Sequence, residues 1–163
     1  MSSDNHYDYD KYLSLKVSQE LWLIILYLLH PFILLFSTIR LGRGGAKGVS
    51  GVDGLKRLVY QDNFSLALAI LATVPVLLLV YAWVRRKPGA PAFVRRLWAK
   101  GVVLLTSAAV LYIGGVFVPL LTHVIASIRP IGWGQVAISI LIIFYLFTSK
   151  RVRDIFADFP EGE

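Results

Sequence analysis

The chain has 163 residues, of which 56% are hydrophobic, and a formal net charge of +7. Apolar residues at this frequency, gathered into long blocks rather than amphipathic stripes, exclude an ordinary soluble domain. The sequence contains no cysteine, which excludes disulfides, thiolate catalysis and cysteine-based metal sites. The basic residues flank the apolar blocks, so the positive charge indicates contact with lipid headgroups rather than with nucleic acid.

Four apolar blocks predict four membrane-spanning helices. They cover residues 17–39, 64–84, 101–123 and 131–148, and a helix needs about 20 mainly apolar residues to cross the hydrocarbon core. No piece outside them is long enough to fold as a separate soluble domain. We therefore predict an all-α integral membrane four-helix bundle with short basic loops, in which residues 1–163 form a single domain.

The first block follows a polar, acidic tail, whereas a signal peptide begins with a basic region. We interpret it as a retained helix with Ser18 as its N-cap. Pro31 removes a backbone donor and predicts a kink near residues 27–30. The neighbouring His30 lies near mid-membrane. We favour a neutral imidazole bonded to another helix or to the carbonyl that Pro31 frees, and the alternative is a proton or ligand site.

A basic, glycine-rich loop separates the first two blocks. Its stretch at 42–48 lacks the spacing of a P-loop, so a flexible loop is favoured over a phosphate site. Residues 52–60 have apolar residues at helical spacing opposite basic ones. This pattern predicts a short amphipathic helix lying in the membrane interface.

The second block has small side chains at four-residue intervals, at Ser65, Ala69 and Thr73. Such a face lets another helix approach closely, and we favour packing inside the bundle over a contact between copies. Pro75 predicts a second kink. The loop that follows is basic. Its candidate contacts for lipid headgroups or an acidic partner are Arg85, Arg86, Lys87, Arg95, Arg96 and Lys100. A topology signal is the favoured interpretation of the same residues, and the two roles are compatible.

Polar side chains inside the blocks are few. No Asp, Glu, Lys or Arg lies within any block away from its ends, which disfavours a carboxylate-based proton relay. The candidate intramembrane polar site consists of His30, Thr73, Thr106 and Ser107. No nucleophile with a base and an orienting group is present, so we expect no enzyme and no cofactor. Two histidines, His30 and the interfacial His123, are weak support for a metal site, and none is expected.

The distribution of Lys and Arg predicts the orientation. With both termini in the cytoplasm, eleven of these residues lie inside and six outside, which satisfies the positive-inside rule. The glycine-rich loop, with five basic residues on the outer side, is the exception. A helix lying on the outer leaflet is our explanation of it.

The order of short motifs resembles a known family. The motifs are Tyr7-Asp8 and Leu13-Ser-Leu15-Lys16 before the first block, Val59-Tyr60-Gln-Asp62-Asn63-Phe64 and Val74-Pro75 at the start and in the middle of the second, and Trp83 with Arg85-Arg86 at its exit. This order resembles the YfeZ-like proteins, a proteobacterial inner-membrane family of unknown function. The resemblance implies a four-span protein of the bacterial inner membrane and supplies no activity. That family has Arg where this chain has His30, so no role carries over to this histidine.

The sequence thus predicts a non-catalytic protein of the bacterial inner (cytoplasmic) membrane, acting as a small accessory or scaffold subunit. The expected partners are membrane lipids and other membrane proteins or copies of itself, and no nucleic acid. The alternative is a small oligomeric transporter or channel whose path is lined by His30, Thr73 and the pair Thr106 and Ser107.

Overall fold

The computed structural model describes residues 17–42, 54, 58–60 and 62–160. Over these residues the chain forms helices and no strand. In chain order the helices are α1 Gln19–Gly42, α2 Asn63–Ala72, α3 Val74–Val84, α4 Ala92–Ala99, α5 Gly101–Leu121, α6 Pro130–Thr148 and α7 Lys150–Ala157. The N-terminal tail and most of the glycine-rich loop, with the greater part of the interfacial helix expected at 52–60, lie outside the described residues.

Four segments are long and apolar enough to cross a membrane. They are Gln19–Ser37, Asn63–Val84, Gly101–Leu121 and Pro130–Thr148. Each end lies within about two residues of the predicted block, because block length follows from the thickness of the hydrocarbon core. The predicted all-α fold class is confirmed.

Side-chain caps begin the first two of these segments. The Ser18 hydroxyl accepts a hydrogen bond from Leu21 N at 3.3 Å, which confirms the predicted N-cap of α1. Asp62 caps α2 by accepting from Ser65 N at 2.8 Å and from the Ser65 hydroxyl at 2.6 Å. Each cap satisfies backbone donors that have no partner within the helix.

The second segment is divided at Thr73, between α2 and α3. Pro75 is one of the first two residues of α3 and has no backbone N–H, so the helical ladder is interrupted there. Thr73 donates both its backbone N–H (3.0 Å) and its hydroxyl (2.7 Å) to Ile70 O. The predicted kink at Pro75 is thus a one-residue break. In the first segment, by contrast, α1 continues through Pro31 as a single helix.

Helix α5 lies at the centre of the bundle and packs most extensively against α2, α6 and α3. Its buried face consists of Gly101, Leu105, Ala108, Ala109, Tyr112, Gly115 and Pro119. Small residues on this face let neighbouring helices approach. A methyl group placed on Gly115 would touch Leu68 and the backbone of Ala69. Within the chain, the small-residue face of α2 therefore packs on α5 through Ala69.

The two short helices α4 and α7 were not predicted, since neither is long enough to register as a membrane span. Each has eight residues and a distinct apolar side. Trp98 of α4 packs its ring against Phe156 of α7, with ring centroids 5.1 Å apart. Gly101 at the start of α5 leaves room for the Phe156 ring, because a methyl group there would overlap it. Both helices thereby cover one end of the bundle.

Candidate functional site

His30 lies at the centre of a hydrogen-bond network between helices. Its Nδ1 is 2.5 Å from Tyr27 O, the carbonyl that would accept from residue 31 if that residue were not proline. A carbonyl can only accept, so Nδ1 carries the proton and donates. The neutral ring therefore presents Nε2 as an acceptor towards α5. The sequence favoured two hydrogen bonds for His30, one to another helix and one to the carbonyl that Pro31 frees. The structure has both.

Two tyrosine hydroxyls face Nε2 of His30. The Tyr112 hydroxyl, from α5, lies 2.8 Å from this nitrogen, and the Tyr60 hydroxyl lies 3.0 Å from it. The two hydroxyl oxygens are 2.7 Å apart. Three segments distant in sequence therefore meet at one point, which we call the His–Tyr network: His30, Tyr60 and Tyr112.

The number of protons in the His–Tyr network limits how many of its contacts can be hydrogen bonds at the same time. Three short contacts join its acceptor nitrogen and two hydroxyls, but two hydroxyls supply only two protons. The two shortest contacts are satisfied when Tyr112 donates to His30 Nε2 and Tyr60 donates to Tyr112 Oη. The alternative, in which Tyr60 donates to His30 Nε2 and Tyr112 donates to Tyr60 Oη, uses the same two protons. In both arrangements the Tyr60 oxygen can only accept a further hydrogen bond.

Tyr60 is an uncharged member of this network. It is 6% exposed, and burial raises the pKa of its phenol well above the usual range. The hydroxyl therefore keeps its proton near neutral pH. Its ring stacks on the His30 imidazole with an interplanar angle of 13°.

A partly open cleft adjoins the network, between α2, α5, α6 and the segment that joins α5 to α6. Tyr60 and Tyr112 form part of its wall. The rest of the lining is Val59, Ser65, Ala69, Gly115, Val116, Ile125, Ile128, Arg129, Ile131, Gly132 and Gln135. The wall is thus mainly apolar with a few polar groups, which is typical of ligand sites.

The other members of the predicted intramembrane polar site do not join His30 in this network. Thr73 bonds to Ile70 O in its own helix, and the Ser107 hydroxyl donates to Leu104 O at 2.8 Å. The Thr106 hydroxyl is buried and has no hydrogen-bond partner in the described part of the chain. The tyrosines take the places beside His30 that these hydroxyls were expected to fill.

Arg86 differs from the rest of the predicted basic cluster because it is buried, with 7% of its surface exposed. Its guanidinium lies over the Trp98 ring at 4.5 Å and donates to Asp158 O at 3.0 Å. The Asp158 carboxylate is 3.5 Å away, and Trp98 Nε1 donates to Asp158 O at 2.9 Å and to Ile155 O at 3.0 Å. Arg86 thus contacts the chain's own C-terminal segment.

The remaining members of the cluster are largely exposed. They are Arg85, Lys87, Arg95, Arg96 and Lys100. Arg85 lies 5.8 Å from the Tyr81 ring, and Arg95 lies 5.6 Å from the Phe159 ring. Their predicted contact with headgroups or an acidic partner stays a prediction.

Sequence reasoning missed the partners of His30, although one signal was present. A tyrosine in the middle of an apolar block needs a partner for its hydroxyl, and Tyr112 occupies such a position in the third block. Tyr27 lies one turn before His30 and shows the same signal. No group of three or more His, Asp or Glu residues that could hold a metal occurs among the described residues.

Helices of this length and hydropathy define a multi-pass membrane protein. A family model described as "Protein of unknown function (DUF2919)" matches residues 5–158, and the chain belongs to this family. No curated protein and no solved structure is significantly similar to it. The YfeZ-like name and the proteobacterial origin stay predictions.

Proposed function

We propose that this DUF2919 member is a non-catalytic accessory or scaffold protein of the bacterial inner membrane. It binds membrane-protein partners, lipid or copies of itself through the outer surface of its helices. The proposal also places both termini in the cytoplasm.

One stripe of α6 supports this proposal. Four large apolar residues spaced along it are more than half exposed: Trp133, Ile140, Phe144 and Phe147. They recur at intervals of three to seven residues and therefore share one side of the helix. Aromatic residues are enriched in the contact surfaces of proteins. This stripe, Trp133 to Phe147, is the surface that we assign to a partner.

Photo-crosslinking in cell membranes tests the partner assignment. p-Benzoylphenylalanine placed at Phe144, which is 69% exposed, should give a discrete protein adduct. The same probe at Val103 of α5, 64% exposed, should react with lipid, and at the fully buried Leu146 it should give no intermolecular adduct. Mass spectrometry of the Phe144 adduct distinguishes another protein from a second copy. Equal reaction at Phe144 and Val103 would contradict a dedicated partner surface.

The proposed orientation has its own test. Because the chain has no cysteine, a single cysteine reports which side of the membrane a residue occupies. Lys87 and Ala126 are both exposed and lie in different loops. Cysteine at Lys87 should resist a membrane-impermeant maleimide in intact spheroplasts, while cysteine at Ala126 should react. Reaction at Lys87 and protection at Ala126 would reverse the orientation.

A small transporter or channel is the second candidate function, favoured by the cleft that ends beside His30. Liposome flux of the wild type and of His30→Ala tests it. Flux that depends on His30 supports a path. The absence of flux under every imposed gradient rejects the transporter and leaves the accessory role.

A further inference from the structure

The cleft wall contains a side-chain amide that has no hydrogen bond to the described part of the chain. Gln135 is 8% exposed and lines the cleft. Its backbone carbonyl accepts from the Tyr27 hydroxyl at 3.4 Å, but its side-chain amide makes no hydrogen bond to any residue that the structure describes. This group is therefore suited both to donate to and to accept from a bound molecule.

A second polar group in the same wall is available only as an acceptor. In the His–Tyr network both hydroxyl protons are used internally, so the Tyr60 oxygen can only accept a further hydrogen bond. A molecule that meets Tyr60 must therefore offer a donor. A hydroxyl group donates one hydrogen bond and accepts others, so it suits Tyr60 and Gln135 together.

Among the described residues, charge in the cleft wall is confined to its edge. Among the described residues that line the cleft, Arg129 is the one with a formal charge, and it is exposed just before α6 begins. The inner polar residues Tyr60, Gln135 and Ser65 are all uncharged. A charged head group that bonded to Tyr60 and Gln135 would lie among the uncharged residues of the described wall, which is unfavourable.

The position of the cleft indicates where the rest of the molecule lies. Its wall includes the first turns of α2 and α6 and the last turns of α5, so it is at one end of three membrane spans. Its aliphatic lining, with Val116, Ile128 and Ile131, suits a hydrocarbon chain.

We propose that this cleft binds a lipid alcohol, an uncharged amphiphile whose hydroxyl donates to Tyr60 Oη and accepts from the Gln135 amide. Its hydrocarbon part lies against the apolar wall and continues into the bilayer. The proposal does not depend on the α6 stripe, because the cleft and the stripe are separate surfaces.

Binding of matched probes to the full chain in phosphatidylcholine nanodiscs tests this assignment. The three probes are oleyl alcohol, its methyl ether and its phosphate monoester, each with a diazirine in the chain for crosslinking. We expect oleyl alcohol to crosslink to cleft residues, with about three- to tenfold weaker binding of the ether, which has lost one donor. The phosphate should bind more weakly than the alcohol, since its charge would either lie among the uncharged residues Tyr60 and Gln135 or draw the head group out to Arg129 at the edge.

Two substitutions test the two polar contacts separately. Tyr60→Phe removes the acceptor oxygen, and Gln135→Met removes the amide at nearly constant size. Each should weaken oleyl alcohol binding by about three- to tenfold, and Gln135→Met should leave the His–Tyr network intact. Tyr145→Phe in α6 and Gln19→Met at the start of α1 are the matched controls and should bind as the wild type does.

Gel filtration and thermal unfolding of each variant show whether it is folded. If Tyr60→Phe is misfolded, the comparison of Gln135→Met with Gln19→Met decides the matter. Preference for the phosphate, equal binding of alcohol and ether, or wild-type binding by Gln135→Met would each overturn the proposal. A loss of the Phe144 adduct would contradict the partner surface on α6 and would not affect the lipid-alcohol site. The two proposals therefore fail independently.

Discussion

One end of the bundle buries a formal charge, whereas the described part of the other end buries neutral hydrogen-bonding groups beside a cleft. At the first end, Arg86 and Trp98 bind Asp158 in the segment that follows α7, and we call this the latch end. At the second, the cleft end, the His–Tyr network adjoins a partly open space. Arg86 and Trp98 find their partners within the chain, while the Gln135 amide bonds to none of the described residues.

The difference teaches where each kind of group can be buried. Arg86 follows the last residue of α3 by two positions, so it lies near the membrane boundary, where a side chain and the carbonyls at a helix end are within reach. His30 lies deeper, and there the neutral imidazole is held by a freed carbonyl and two hydroxyls. Burying a charge at that depth would be far more costly.

The largest expected effect is at the latch end, from Trp98→Ala. Trp98 is 2% exposed and donates to two carbonyls. Its loss should lower the free energy of unfolding by about 3–5 kcal/mol, the range for removing a buried aromatic side chain. Trp133→Ala, at a 55% exposed position, should cost less than about 1 kcal/mol. Unfolding in mixed micelles with increasing SDS measures both free energies. Equal losses in the two variants would contradict a stabilising role of Trp98 at the latch end.

A pair of glycine substitutions tests the packing of α7 on α5. Gly101→Ala should lower the free energy of unfolding by about 1–3 kcal/mol, because the new methyl group overlaps the Phe156 ring. In Gly114→Ala the new methyl group has no neighbour within 4 Å. This substitution should raise the free energy of unfolding by up to about 1 kcal/mol through helix propensity. The same SDS titration compares them. A tolerated Gly101→Ala would mean that α7 does not pack on α5 in the membrane.

The cleft end is probed by Tyr112→Phe, which removes a hydroxyl and leaves its neighbours with one partner fewer. We expect a loss of about 1–2 kcal/mol, at the upper end of values for hydrogen bonds between membrane helices. Tyr81→Phe is the matched control, since Tyr81 is 47% exposed, and it should be neutral. If the two variants have the same free energy of unfolding, the His–Tyr network contributes nothing to stability.

The role of Arg86 can be tested through the chemical accessibility of the C-terminal segment instead of through stability. Cysteine at Ile155, which is 1% exposed, should react slowly with a maleimide. Arg86→Met should speed this reaction several-fold, because it removes the hydrogen bond to Asp158 O and the charge contact with the Asp158 carboxylate that hold the C-terminal segment. Arg85→Met removes an exposed cation and should leave the rate unchanged. Equal rates in all three would show that Arg86 does not hold α7.

The smallest effect is expected at the C-terminus of α5. His123 has φ 57°, in the left-handed region, where its backbone N–H donates to Leu120 O while Val124 N donates to Pro119 O. This is the hydrogen-bond pattern of a Schellman motif, whose left-handed residue is usually glycine. His123→Gly should raise the free energy of unfolding by about 0.5–1 kcal/mol, and His123→Val should lower it. Thermal unfolding in detergent ranks the wild type and the two variants by stability. The reverse order would contradict the left-handed backbone conformation at His123.

The sequence alone determined the number of spans, their approximate ends and the cap at Ser18. These properties depend on local facts, namely the length of apolar runs and the type of residue before a helix. It also singled out His30 and the carbonyl freed by Pro31. The His30 ring and this carbonyl are neighbours on one helix, so no tertiary contact was needed to pair them.

Only the tertiary structure decided which residues His30 and Arg86 meet. Tyr60 and Tyr112 are 30 and 82 residues away from His30, and Asp158 is 72 residues from Arg86. Periodicity along one helix carries no information about such partners, because they depend on how helices rotate and pack against each other. The same packing places Gln135 in the wall of the cleft, and it is there that we place the bound lipid alcohol.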